Sequence, residues 1–245
     1  MRVHFDSSGE VLVVTGGAHG IGAALARGYA SAGGTSFVLD VSPTEELNDV
    51  KGITQHQTDV SDRDAVLAVT EEIMGKHGRI DALVAGAAVQ PRTPVVDTEP
   101  AQWRHTLGVN LDGVVWSCQA VLPHMIQQES GVILVFASGL AYMGRAEASA
   151  YAASKGALIP FAKSLAAEVA PHRIRVNTVF PGVIDTPQFR AANPTGGERE
   201  HWVRTTGIGT PEDVVGPLLF LLSDAATMTG STLTRDRAFT KEEAR

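Results

Sequence analysis

The sequence predicts a three-layer, doubly wound α/β domain, with a parallel sheet between two layers of helices. Three observations lead there. Short β-branched runs alternate with longer segments of helical periodicity along nearly all of the 245 residues. The first such run ends in glycines that open directly into a helical segment. No internal repeat or low-complexity tract breaks the alternation, and no second core is evident between the helices.

Val11–Thr15 reads as a buried strand, and Ile21 to Ala32 as a helix with Leu25 and Tyr29 at apolar spacing. Thr35–Val41 is the next strand, which completes a strand–loop–helix–strand unit. Ile53–Gln57 is a weaker strand, and Asp62–His77 a helix capped by an Asp or Ser near Ser61. Ile80–Ala85 is a short buried strand. Thr98–Gln128 carries one long helix or two, with Thr98 as cap and Pro100 in the first turn. Gly131–Ala137 is a strand, and Ala150–Ala170 a helix ended by Pro171. Arg173–Phe180 is a sixth strand, closed by Pro181-Gly182. From Val183 to Gly209 the pattern weakens, and this stretch is expected to be a mobile lid on the substrate side. Thr210 then caps a last helix with Pro211 in its first turn and Asp213 near its N-terminus, and Ser231–Thr234 forms a final strand. In such a fold, ligands sit beyond the carboxyl ends of the strands, near the point where the strand order reverses.

Composition narrows the function. Lys and Arg number 20 against 27 Asp and Glu, a net charge of −7, and no dense basic stretch offers an exception; a nucleic-acid partner is disfavoured. The single cysteine, Cys118, cannot close an intrachain disulfide, and beside Trp116, Ala120 and Val121 it reads as packing. The opening MRVHFDSSGE has no apolar core of a secretory signal, and the apolar stretches are interrupted well short of membrane-spanning length. The expectation is one cytoplasmic domain over residues 1–245, with no membrane partner.

Thr15-Gly16-Gly17-Ala18-His19-Gly20-Ile21-Gly22 joins the first strand to the first helix. Gly16 permits the turn. Gly20 and Gly22 remove Cβ atoms where backbone must approach a pyrophosphate or a strand, and the helix N-terminus offers N–H groups to the anion. The Gly-Lys-Ser/Thr ending of a P-loop is missing. Asp40 closes the second strand eighteen positions after Gly22, where a carboxylate accepts both ribose hydroxyls of adenosine and repels a 2′-phosphate. NAD is therefore preferred over NADP, although His19 could touch a phosphate.

These features, with TDVSD at Thr58–Asp62, VNLDG at Val109–Gly113, Ser138, YAASK at Tyr151–Lys155, PGVIDTP at Pro181–Pro187 and GTPEDV at Gly209–Val214, resemble the classical short-chain dehydrogenase/reductase family over nearly the whole chain. The resemblance implies a single Rossmann-fold domain of about seven parallel strands that oxidises alcohols or reduces carbonyls. It implies that Asp59 bonds the adenine amino group, that Val60 lies against the ring, and that Val183 and Thr186 contact the nicotinamide carboxamide. Ile21, Ala87 and Pro181 join the cofactor-binding set by the same resemblance, and Asn110, Ser138, Tyr151 and Lys155 match the catalytic tetrad.

Tyr151 and Lys155 are four apart on a helix and share a face. A phenol with a pKa of about 10 is a poor base near neutrality. A nearby ammonium and the positive nicotinamide ring favour phenolate, so that Tyr151 takes the alcohol proton as hydride leaves the carbinol carbon. Ser138 bonds the substrate oxygen, Lys155 holds the nicotinamide ribose, and Asn110 holds a water that links Lys155 to solvent. No HExxH, Cys pair or carboxylate cluster suggests a metal, and no G-x-S-x-G elbow presents a serine nucleophile.

Two segments depart from the family pattern. Ala85-Gly86-Ala87-Ala88 stands where Asn-Asn-Ala-Gly is usual, which should cost hydrogen bonds between neighbouring strands. Thr234-Arg235-Asp236-Arg237-Ala238 stands where an apolar residue and Asp-Gly-Gly are usual, and Arg237 could reach a substrate carboxylate. Substrate contacts are expected from Ser138, Leu140, Tyr142, Tyr151, Phe189 and Trp202, with Val89, Pro91 and Met143 beside them, a mostly apolar set that suits a cyclic or moderately hydrophobic secondary alcohol or ketone. The alternatives are an NADPH-dependent carbonyl reductase and a non-enzymatic cofactor-binding regulator or scaffold on the same fold. A homodimer or homotetramer is expected, with Trp116, Val121, Leu158 and Phe161 on the outer faces of its contact helices.

Overall fold

The computed structural model describes residues 4–236. Seven strands form one parallel sheet in the order β3-β2-β1-β4-β5-β6-β7. They are β1 (Val11–Thr15), β2 (Thr35–Asp40), β3 (Ile53–Gln57), β4 (Ala82–Ala85), β5 (Gly131–Phe136), β6 (Ile174–Phe180) and β7 (Thr232–Thr234). The chain steps outward from β1 to β3, returns to place β4 on the other side of β1, and steps outward again. The β1/β4 boundary is thus the switch point where a crevice opens.

Strand side chains alternate between two cores. Val11 and Val13 face one side with Leu83, Ile133 and Val176, against α4 (Gly113–Gln128) and α6 (Ser149–Val169). Leu12 and Val14 face the other with Val84 and Leu134, against α1 (Gly20–Ser31) and the late helix Glu212–Leu222. Every residue of β1, β4 and β5 is buried, as a sheet covered on both faces requires. Cys118 lies in the first core, where burial pushes its thiol up to about 12, so it packs and stays protonated. Val121 and Leu158 lie in the same core at 1% and 0% exposure, which corrects their expected place on an outer contact face; Trp116 and Phe161 are half-buried.

Other differences are local. α2 (Arg63–His77) is capped by Asp62, whose carboxylate accepts the N–H groups of Asp64 and Ala65, both at 3.1 Å. Thr98 does not cap its helix: its hydroxyl donates to the Pro94 carbonyl, and α3 (Pro100–Leu107) starts at Glu99 with Pro100 as its first residue. The segment to Gln128 is α3, a π turn at Gly108–Asp112, then α4. After β5 comes the single turn α5 (Leu140–Met143). The 183–209 stretch, where the sequence pattern weakens, contains α7 (Pro187–Ala192) and α8 (Gly196–Thr205), capped by Thr186 and Thr195. Helix α9 (Glu212–Leu222) begins at Pro211, and Asp213 accepts the Thr210 N–H at 2.8 Å; the Thr210 side chain makes no cap. No helix among the described residues is long and apolar enough to cross a membrane.

Candidate active site

One cleft runs over the carboxyl ends of β1, β2, β4 and β5 and takes in nearly all the residues singled out for binding. At its deep end Gly16 has φ +66°, and a Cβ there would stand 2.6 Å from the Ala87 Cα. Only glycine lets these two backbones meet. The altered segment after β4 is stitched from the other side: the Thr15 hydroxyl accepts the N–H groups of Gly86 (3.2 Å) and Ala87 (3.3 Å).

His19 precedes α1 in extended conformation with no side-chain cap, and the first turn holds no acidic residue. His19, Gly20, Ile21 and Gly22 line the cleft there, so the helix presents its leading dipole to an incoming anion. That arrangement fits a dinucleotide pyrophosphate. Asp40 lies beside it at the end of β2, each carboxylate oxygen accepting one backbone N–H: Ala18 at 3.1 Å and Ser42 at 3.0 Å. Asp59 accepts both the N–H and the hydroxyl of Ser61 through one oxygen, and Val60 is buried next to it. Asp59, Val60, Ala87, Pro181, Val183 and Thr186 all line the same cleft.

At the other end Ser138, just past β5, accepts the Leu140 N–H at 3.2 Å. Tyr151 and Lys155 enter from α6, both buried. Burial raises the Tyr151 phenol above its usual range, offset in part by the Ser138 hydroxyl. The Lys155 ammonium donates to the Phe136 carbonyl at 2.7 Å, and burial brings its pKa down to about 8.

Asn110 also carries packing bonds that the sequence did not announce. It sits in the π turn with its amide committed: Nδ2 donates to the Val89 carbonyl (2.9 Å) and the Ser154 hydroxyl (3.0 Å), while Oδ1 accepts the Val89 N–H (2.8 Å). Both amide hydrogens are used, and the side chain joins the loop after β4 to α6.

On the substrate side the cleft is lined by Val89, Leu140, Phe189 and Trp202, as expected, and by Ser138 and Tyr151. Tyr142 is not there. It is 68% exposed and packs its ring on Phe180, with centroids 5.5 Å apart, because the turn of α5 points it away from the cleft. Met143 is 67% exposed and Pro91 does not reach the cleft either. Sequence reasoning missed Arg145, Asn193 and Gln90, so the wall is more polar than the apolar set implied. Arg145 and Asn193 come from a turn and a helix end with no periodicity to mark them.

Arg235 does not extend an apolar last strand. It follows β7, its N–H donates to the Phe180 carbonyl at 3.0 Å, and its guanidinium folds against Gly209 with Nη2 3.9 Å from the Asp213 carboxylate. Arg237 lies outside the described residues. Among the described residues no group of three His, Cys, Asp or Glu could hold a metal ion.

The family model for short chain dehydrogenases matches residues 10–196. A 3-oxoacyl-[acyl-carrier-protein] reductase of Thermotoga maritima is 34% identical over 92% of this chain and 95% of its own. A cis-4-hydroxycyclohexanecarboxylate dehydrogenase of Sinomonas cyclohexanicum is 35% identical over 94% of this chain and 96% of its own. Among solved structures, a Beutenbergia cavernae protein assigned as an NAD(P)-dependent gluconate 5-dehydrogenase, with NADP bound at low occupancy, superposes with a TM-score of 0.88 at 33% identity, covering 96% of this chain and 98% of that one.

Proposed function

The chain belongs to the short-chain dehydrogenase family, and from that premise we propose that it is an NAD-linked oxidoreductase interconverting a secondary alcohol and its ketone, on a cyclic or moderately hydrophobic substrate. The relatives act, by their names, on an acyl thioester, a ring alcohol and a sugar acid, which supports the reaction class and leaves the substrate to this chain's own cleft.

One observation carries the reading: Ser138, Tyr151 and Lys155 converge at one end of a cleft whose other end is an uncapped helix N-terminus beside Asp40. When bound, NAD supplies the acceptor for a hydride from the carbinol carbon. Gly20, Ile21 and Gly22 would hold its pyrophosphate through the start of α1, Asp40 the adenosine ribose, and Asp59 the adenine. Val183 and Thr186 would hold the nicotinamide end. Ser138 donates to the substrate oxygen and orients it, and Tyr151 takes the hydroxyl proton as the carbonyl forms, returning it in reduction. Lys155 is withdrawn to the Phe136 carbonyl; it assists Tyr151 once it turns to the nicotinamide ribose.

The 183–209 segment, with α7 and α8, forms the substrate-side lid in this proposal, and the protein acts in the cytoplasm as a homodimer or homotetramer. The deciding experiment is Tyr151→Phe, assayed by NADH formation over a panel of secondary alcohols. We expect turnover to fall by a factor on the order of 1,000, within the range for loss of an acid–base group, with NADH affinity unchanged. Unchanged turnover sinks the mechanism. Fluorescence titration should show NADH binding about tenfold or more tightly than NADPH, because Asp40 repels a 2′-phosphate; the reverse order replaces NAD by NADP and leaves the chemistry standing.

A further inference from the structure

We propose that Arg145 forms an anion subsite in the substrate half of the cleft, so that the alcohol or ketone turned over here carries a carboxylate. The inference rests on the dehydrogenase reading for where the reacting carbon sits, and on the following geometry for the subsite itself.

The charged side chains that line the main cleft are Asp40 and Asp59 at the adenosine end, Lys155 at the reacting centre, and Arg145. Beyond Lys155, then, the substrate wall carries one cation and no acid. Arg145 is fixed rather than waving: its guanidinium lies over the Trp202 ring, 5.8 Å from the centroid, and Nη2 donates to Glu198 at 3.1 Å. Glu198 lines a neighbouring cleft that shares Leu140, Arg145 and Trp202 with the main one, so it grips Arg145 from behind. It is also bonded by Arg92, which in turn reaches Glu147 at 2.8 Å. One carboxylate therefore serves two guanidinia, and no other acceptor for Arg145 is found among the described residues.

The turn that aims Arg145 is built with care. Glu147 has φ +65°, a conformation unusual for a residue with a side chain. The two other such residues among the described residues, Glu129 and Arg173, end helices, where it is ordinary. Glu147 ends none; it is held by its carbonyl accepting the Thr93 N–H at 2.8 Å and by its ion pair with Arg92. Strain held in place by surrounding contacts is characteristic of sites that must position a group. Arg145 is only 16% exposed; burial and the Arg92 charge loosen its hold on its proton, and the Glu198 and Glu147 carboxylates offset part of that. A planar carboxylate meeting the cleft side of the guanidinium adds a charge-assisted, two-pronged pair to the one that Glu198 makes from behind.

The test separates binding from turnover. The protein saturated with NAD is titrated with cyclohexanecarboxylate and with its primary amide, following tryptophan emission, and Trp202→Phe identifies the signal as that of Trp202. The expected result is a saturable change with the acid, at least tenfold weaker with the amide, abolished in Arg145→Gln and partly retained in Arg145→Lys, which keeps charge but loses the two-pronged geometry. With hydroxy acids as substrates, Arg145→Gln should lower kcat/KM roughly 10- to 100-fold, the range for losing a hydrogen bond to a charged group, mainly through KM. The matching amides and NADH affinity should be unaffected. Acid and amide binding alike, or Arg145→Gln binding the acid as the unaltered protein does, overturns the subsite. Acid binding without turnover of any alcohol leaves the subsite standing and removes the dehydrogenase reading instead.

Discussion

The β1–β4 half of the molecule and the substrate wall recognise ligands by different means. Around the first crossover the backbone itself does the work: Gly16 meets Ala87, α1 starts uncapped, and Thr15 ties the two loops together. On and behind the substrate wall the work falls to side chains from segments far apart: Glu198, lying behind the wall with Arg92, pairs with Arg145, and Asn193 is bonded to Trp202. The first arrangement tolerates no bulk, whereas the second tolerates change and pays for specificity in charges and hydrogen bonds.

The largest expected effect tests that asymmetry directly. A Cβ at Gly22 would stand 2.6 Å from the Gly16 carbonyl oxygen, a backbone atom that cannot step aside. At Gly196, in α8, a Cβ would meet nothing within 4 Å. Gly22→Val should cost about 3 kcal/mol or more by overpacking, a fall in Tm of roughly 6–12 °C for a chain of this size, and should abolish measurable NADH binding. Gly196→Ala should leave both within error. Equal effects at the two sites would mean that the contrast is wrong.

The two regions meet at Lys155, where the second prediction lies. Its folded pKa of about 8, against an ordinary 10.5, means that folding is charged with keeping a buried ammonium. Below pH 8 both states are protonated and the cost is full, on the order of 3 kcal/mol for a shift of this size. Between about 8 and 10.5 the unfolded chain binds the extra proton, so stability gains from this group as pH rises. Lys155→Met, with turnover lost, should therefore be more stable than the unaltered protein by about 2–3 kcal/mol at pH 7. That advantage should shrink by pH 9.5, as measured by urea unfolding at the two values. A variant that is less stable at pH 7 would show that the bond to the Phe136 carbonyl outweighs the burial of charge.

The same asymmetry explains what was legible in the sequence. The glycine turn, Asp40 and the strand–helix alternation are local patterns, and each is found where the pattern put it. Tyr151 and Lys155 share a face because a helix repeats every 3.6 residues. Asn110 lies in the segment its motif marks, but the commitment of its amide to Val89 and Ser154 is not legible there, being a matter of packing between distant elements. Val121 and Leu158 were placed outward for the same reason: in helices covered on one side by a sheet, apolar periodicity does not say which apolar residue faces in. Arg145 left no local signal at all, because a single arginine in a turn acquires meaning only when Trp202 and Glu198 fold over it.

The smallest effect isolates the wall from the cofactor half. Asn193, 2% exposed between α7 and α8, donates to the Phe189 carbonyl at 2.8 Å and accepts the Trp202 indole N–H at 2.9 Å. Asn193→Ala leaves a half-buried indole donor without its partner, a cost of about 1–2 kcal/mol. Because α7 and α8 rest on few apolar contacts, with one buried residue in α7 and none in α8, that cost should appear as local opening. Hydrogen exchange should quicken over residues 187–205 while β1, α1 and β4 keep their protection and NADH binds as before. Faster exchange spreading into β1 and α1 would show the two halves to be one cooperative unit, and the division between backbone-built and side-chain-built recognition would then be chemical only, with no counterpart in stability.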